Sequence, residues 1–158
     1  MLTLQDAGAH NINWVTPTHG LASLVEGLLI ATQEGLELPI VYNTSGFDNP
    51  AVLPLLEDIV DIYMPDIKWF SPNTGRLVAG TDRYHCTIRE NLRAMFAQVG
   101  PLHVRDGVAT GGMLIRHLVL PGGLSQSEEI LSWCAPLLQE GAAISLMSQY
   151  NPPLLGPP

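Results

Sequence analysis

The stretch IVDIYMPDIKWF, residues 59–70, begins as an apolar run and then carries Asp66 and Lys68 at alternate positions. Strand side chains repeat every second residue, so Met64, Asp66 and Lys68 share one face. A carboxylate beside an ammonium at a strand end is either an ordinary salt bridge or part of a polar ligand site. Asn43 and Thr44, at the end of the preceding apolar run PIVY, add two more polar groups. Arg116 stands inside LIRHLVL, which is otherwise apolar apart from His117. A guanidinium seldom enters such surroundings alone, so Arg116 is expected to meet a carboxylate, from a side chain such as Asp66 or from a ligand. Gly122-Gly123 behind that run could cradle a ligand with backbone groups or simply turn the chain.

The elements that must position these residues alternate between strand and helix. Asn11 to Val15 reads as a short strand, and Leu21, Leu24, Val25 and Leu28 mark a helix capped by Thr18 and stopped at Gly35. Pro39 to Tyr42 is a brief strand. Asn49 and Pro50 then open a short helix through Val52, Leu53, Leu55 and Leu56 that leads into the 59–70 run. Residues 71–83 read as an irregular connection. Ile88, Leu92, Met95 and Val99 mark a helix closed by Gly100-Pro101. Asp106-Gly107 signals a turn, either of a small hairpin or of a loop, before the strongest strand, MLIRHLVL. Ser125 and Glu128 offer a capping box for a helix with a stripe of Ile130, Leu131, Cys134, Leu137 and Leu138. AISLMSQY is the last strand. Such alternation implies right-handed crossovers and a parallel sheet, open or closed into a barrel, with the working residues at the carboxyl ends of the strands.

Composition narrows the class. The chain has 158 residues, 46% hydrophobic and 14% charged, which suits one globular domain. A net charge of −8 argues against wholesale binding of nucleic acid or anionic membrane. No run reaches a membrane span and no secretory signal is visible, so a cytoplasmic location is expected. Cys86 and Cys134 are expected to be buried free thiols within helices. His10, His19 and His117 raise a metal-hydrolase alternative with Asp66 as a further ligand. His10 and His19 bracket one strand, however, and His117 faces away from Arg116, so no coherent ligand set emerges.

Five segments in this order, GAHNINWVTPTH, YNTSGFD, DIYMPDIKW, LIRHLVLPGG and MSQYNP, resemble the radical S-adenosylmethionine superfamily, in particular proteins like pyruvate formate-lyase activating enzyme. The resemblance runs from Gly8 to Pro152. It implies an α/β fold, a partial (βα)6 TIM-like barrel lacking its first βα unit, over residues 1–150, followed by a Pro-rich tail over 151–158. It also implies S-adenosylmethionine lying across the strand ends. By that similarity Thr16, Thr44, Asp66, Lys68, Arg116 and Leu118 contact the cofactor. Thr16 would act through its backbone toward the methionine amino group. Met64 (by its carbonyl), Asp66 and Thr44 match a monovalent cation site, in which Asn43 replaces an aspartate. Tyr150 falls where the activating enzymes carry a histidine.

The family's oxidoreductase chemistry uses a 4Fe–4S cluster held by a C-x-x-x-C-x-x-C loop to cleave S-adenosylmethionine reductively to a 5′-deoxyadenosyl radical. It takes its electron from a donor such as flavodoxin or ferredoxin, and in some members it activates a glycyl radical enzyme. This sequence contains no such triplet, and Cys86 and Cys134 are too few and wrongly spaced to replace it. The expectation is therefore a fragment of a radical enzyme, inactive alone, with a sheet edge exposed near NINWV. The alternative is a degenerate barrel serving as a binding or interaction module without redox chemistry.

Overall fold

The computed structural model describes residues 1–151; most of the expected Pro-rich tail lies outside them. The chain folds as an α/β structure on a mixed sheet of six strands. A short helix, α1 (Leu2–Asp6), precedes β1 (Ile12–Val15), and a 3-10 turn at Pro17–Gly20 leads into α2 (Leu21–Gln33). Next come β2 (Ile40–Thr44), a 3-10 turn at Pro50–Leu56 and β3 (Ile62–Pro65). Two helices, α3 (Pro72–Ala79) and α4 (Tyr84–Val99), follow. The chain continues through β4 (His103–Arg105), β5 (Val108–Leu118), a 3-10 turn at Pro121–Gly123, α5 (Ser127–Gln139) and β6 (Ala143–Met147).

The parallel strands lie side by side in the order β1, β2, β3, β5, β6, each new strand added on the same side of the last. Among the described residues the order of these parallel strands does not reverse. Among the described residues β1 pairs with β2 alone, so it stands at the sheet edge, near the place where the family resemblance implied an exposed one. β4 folds back antiparallel on the start of β5. Asp106 and Gly107 both take positive φ at that turn, the backbone a two-residue hairpin needs, so the Asp-Gly signal resolves as a hairpin.

Helix faces and strand faces meet in one core. Trp14, Tyr42, Tyr63, Met113 and Ile115 from the strands pack with Ile88, Leu92 and Met95 of α4 and with Ile130 and Cys134 of α5. Leu21, Leu24, Val25 and Leu28 of α2 pack against the margin of this cluster, as their spacing predicts. Each fully buried leucine or isoleucine contributes about 1.5–3 kcal/mol by leaving water.

Four expectations need correction. Residues 71–83 are not irregular throughout: Ser71 caps α3 by accepting from the Thr74 N–H, and Pro72 takes the first helical position, where its missing N–H costs nothing. Thr18 does not cap α2, because its hydroxyl is committed to Asp48. Ser125 does not cap α5; its Oγ accepts from the Leu120 N–H, and left-handed Gln126 is the cap residue. Finally, Cys134 is buried but Cys86, in the first turn of α4, is exposed.

Candidate functional site

Alternation along the strands separates two faces. In β1, Ile12 and Trp14 are buried while Asn13 and Val15 are exposed. Register carries Val15 across to Asn43 and then to Met64, so these three share the exposed-side row. Asp66 pairs with Arg116 one step further on. None of Val15, Asn43, Met64, Asp66, Arg116 or Leu118 belongs to the helix-packed core. They line the opposite face of the sheet, at the carboxyl ends of its strands.

On that face the polar side chains form one continuous chain. Lys68 Nζ donates to Asp66 Oδ2 at 2.7 Å. Arg116 Nε donates to Asp66 Oδ1 at 2.8 Å, and its Nη2 donates to Asn43 Oδ1 at 2.7 Å. The side chains of Lys68, Asp66 and Arg116 are 38%, 21% and 27% exposed, so the cluster is sheltered but open to a ligand. Two cations share one carboxylate, which leaves a local surplus of positive charge on a chain whose net charge is −8. The sequence-based expectation that Arg116 meets a carboxylate is met by Asp66. The same geometry leaves guanidinium and ammonium donors free for a further anion.

Backbone latches behind the sheet hold these side chains in place. The loop after β2 passes through Gly46, whose positive φ suits glycine; a Cβ there would run into Ile88 and the Asp66 carbonyl. Asn91 of α4 is fully buried and donates to the carbonyls of Gly46 and Asp48, each at 2.9 Å. The Tyr84 hydroxyl lies between the carbonyls of Ser45 and Asp66 and accepts from the Lys68 N–H at 3.0 Å. The buried Asp48 carboxylate accepts from the hydroxyls of Thr18, Thr44 and Tyr42. Burial pushes the Tyr42 hydroxyl up to about 12, with the Asp48 charge adding to the effect and the Thr18 hydrogen bond opposing it. Burial likewise raises Tyr84 well above the usual phenol range.

The remaining expected site residues are spread around this cluster. Thr44 is buried on the helix side, its hydroxyl spent on Asp48, so only its carbonyl, which accepts from the Asp66 N–H, reaches toward Asp66. Thr16, just past β1, has φ 49° and ψ 53°, an uncommon left-handed conformation for a β-branched residue, and its N–H donates to the Asn43 carbonyl at 2.8 Å. It lines a cavity of about 400 Å3 with His19, Val15 and Ser23. Leu118 and Lys68 line another of about 350 Å3 together with Trp69, Leu120, Leu124 and Tyr150, a largely apolar pocket. Met64 is half-buried next to Asn43 in register. His10 and His19 lie on either side of β1, and His117 is fully buried. Among the described residues no three His, Cys, Asp or Glu side chains converge as a metal site. No helix among them is long and apolar enough to cross a membrane.

Sequence reasoning missed Asp48, Tyr84 and Asn91. Asp48 lay in a segment read as a loop by composition, and Asn91 interrupted an apolar stripe by one position, the only trace of its inward orientation.

No family model matches the chain. No solved structure matches it either. In sequence it is similar to the uncharacterized protein MJ0674 of Methanocaldococcus jannaschii, at 27% identity over 145 residues. The match takes in 90% of this chain and 38% of that protein, so the chain spans well under half the length of this curated relative.

Proposed function

We propose that this chain is the S-adenosylmethionine-binding part of a radical S-adenosylmethionine barrel enzyme similar to pyruvate formate-lyase activating enzyme. One observation carries the reading: Lys68, Asp66, Arg116 and Asn43, drawn from three strands, converge at the carboxyl ends of a sheet whose other face holds the helices. A strand order that advances in one direction, with crossovers of the usual right hand, puts the connecting helices on one side, as a partial (βα)6 barrel requires.

The residues present fit S-adenosylmethionine. Arg116 and Lys68 supply cations for its carboxylate, and Asp66 supplies an acceptor for hydroxyl or ammonium donors. The apolar chamber beside Leu118 accepts an uncharged ring. In this reading Asn43 and the Thr44 and Met64 carbonyls border the cation position, and the Thr16 backbone faces the amino group. When bound at a reduced cluster, the cofactor supplies radical chemistry. This chain's residues would bind and orient it, with the Tyr84 latch keeping the Asp66 and Lys68 backbone in place and the Asn91 latch holding the loop after β2.

The residues present do not fit a 4Fe–4S cluster. Cys86 is exposed on α4 and Cys134 is buried in α5, and no third cysteine exists in the sequence. In this proposal the cluster ligands therefore belong to sequence outside this chain. A flavodoxin or ferredoxin donor, and a glycyl radical enzyme as target, likewise belong to the complete protein, as does its cytoplasmic location.

Calorimetric titration of the chain with S-adenosylmethionine tests the reading. Saturable binding is expected, weakened tenfold or more by Asp66→Ala, Lys68→Ala or Arg116→Ala, the loss of roughly one charge-assisted hydrogen bond. Absence of binding, or affinity indifferent to all three substitutions, would overturn it.

A further inference from the structure

A second cluster lies at the carboxyl end of β5, on the helix side of the sheet, and the cofactor reading does not use it. His117 is fully buried, with Nδ1 2.7 Å from the Ile67 carbonyl and Nε2 2.9 Å from Ser127 Oγ. Ser127 Oγ in turn lies 3.1 Å from Ser125 Oγ, which accepts from the Leu120 N–H. The two ends of this chain fix its direction. A carbonyl only accepts, so in the neutral ring the proton sits on Nδ1 and Nε2 presents a lone pair. Ser127 must then donate to Nε2, and Ser125, already accepting from an amide, donates to Ser127. Both hydroxyl protons are thus oriented toward Nε2, while Nδ1–H anchors the ring on the Ile67 carbonyl, the arrangement by which a histidine activates a serine nucleophile.

The surroundings of Ser127 add to this. Its backbone opens the 13-residue helix α5, and no side chain caps the amides there. Those first amides lack partners within the helix and sit at the positive end of its dipole, where an oxyanion is stabilised. The preceding residue, Gln126, holds a left-handed conformation with φ 53°, uncommon for a residue with a side chain. Ser127 lines a cavity of about 440 Å3 with Val119, Leu120, Gly123 and Ser125, rimmed by Glu128 and Glu129.

We propose that Ser127 is an activated serine that accepts an acyl group from a small uncharged ester or thioester, with His117 as general base. Ser127 Oγ bonds to the acyl carbon and its proton passes to His117 Nε2. The bond from that carbon to the leaving oxygen or sulfur breaks, and the leaving group departs with the electron pair as a phenolate or thiolate. His117 is closed off from solvent, so it does not hand its proton to the departing group or activate a water, and the acyl-serine persists. The exposed Glu128 and Glu129 at the rim disfavour anionic donors. The inference does not rest on S-adenosylmethionine binding, and its test is separate.

The chain is mixed with 4-nitrophenyl acetate, release of 4-nitrophenol is followed, and the product is mapped by peptide mass spectrometry. A fluorophosphonate probe is run in parallel, in which the same oxygen displaces fluoride from phosphorus. The expected result is a burst of about one equivalent per chain with the adduct on Ser127. Ser127→Ala should abolish the burst while still unfolding cooperatively, at a lowered melting temperature because the buried Nε2 loses its donor. His117→Asn should slow it by about a hundredfold, the usual share of a general base. No burst in the wild-type chain, an adduct elsewhere, or an equal burst from Ser127→Ala would each overturn the proposal. The wild-type mapping decides it even if His117→Asn fails to fold.

Discussion

Arg116 and Asp66, fifty positions apart in sequence, are joined by a 2.8 Å bond from Nε to Oδ1 and by strand pairing of their own backbones. Side chain and main chain therefore enforce the same register between β3 and β5. Because Asp66 also neutralises Lys68, truncating it strands two cations at once. Asp66→Ala is expected to lose about 2 kcal/mol in urea unfolding, and a double-mutant cycle with Arg116→Ala should give a coupling of about 1 kcal/mol. A cycle that closes at zero would mean the pair contributes nothing to the fold.

The loop after β2 depends on α4. Asn91→Ala removes both bonds to the Gly46 and Asp48 carbonyls and leaves those acceptors buried. A loss of about 2 kcal/mol follows, together with faster amide exchange confined to residues 45–49. Exchange that rises evenly over the whole chain would instead point to a global effect.

Gly46→Ala faces a harder obstacle, since the new methyl meets Ile88 and the Asp66 carbonyl at a positive φ. The expected outcome is a loss larger than for Asn91→Ala, with Asp66 displaced. Pairing Gly46→Ala with Ile88→Ala should not restore stability, because the backbone carbonyl stays where it is. Recovery in the double variant would show that only the side chain stands in the way.

The two cysteines should separate cleanly toward a thiol reagent such as dithionitrobenzoate. Cys86 is exposed and should react in the native state, whereas Cys134 should react only after unfolding. Two thiols reacting at one native rate would contradict the packing of α5.

Burial pushes the Cys134 thiol from the ordinary 9.0 up to about 11. Below about pH 9 both folded and unfolded chains keep this proton. Between about pH 9 and about pH 11 the unfolded chain releases it while the folded chain holds it, so stability falls with rising pH across that window. Two units correspond to roughly 3 kcal/mol at most. Cys134→Ala should flatten the decline, and chemical denaturation at stepped pH would show it. The Tyr42 hydroxyl, held up to about 12, extends the decline further into alkali.

Much of this arrangement was legible in the sequence because period-two spacing needs no tertiary knowledge. Asp66 and Lys68 share a face, and Arg116 and His117 oppose one another, as alternation alone requires. The Asp-Gly turn was likewise a local signal, though it left hairpin and loop both open. The expected edge near β1, by contrast, came from the family resemblance and not from any local signal. The latches could not be anticipated. Asn91 and Tyr84 work through backbone carbonyls forty or so positions away, and a carbonyl leaves no letter in a sequence. Thr44 shows the limit in reverse. Adjacent to Asn43, it necessarily faces the other side, where a buried carboxylate outcompetes any role for its hydroxyl on the open face. Helix α3 was missed although Ser71-Pro72 announced it, because eight residues with two near its end exposed and apolar carry no clear stripe.

In β3 and the three residues just past it, the polar cluster and the hydrophobic interior are written in interleaved letters. Met64, Asp66 and Lys68 serve one side while Tyr63, Pro65 and Ile67 serve the other. Deleting one residue ahead of Asp66 would exchange the two scripts, driving a carboxylate toward the helices and an isoleucine into the trough. Deleting two would shorten the strand yet leave each script on its own side. The fold is thus far less tolerant of odd-numbered length changes here than of even ones, and the same parity rule protects the cluster and the core together.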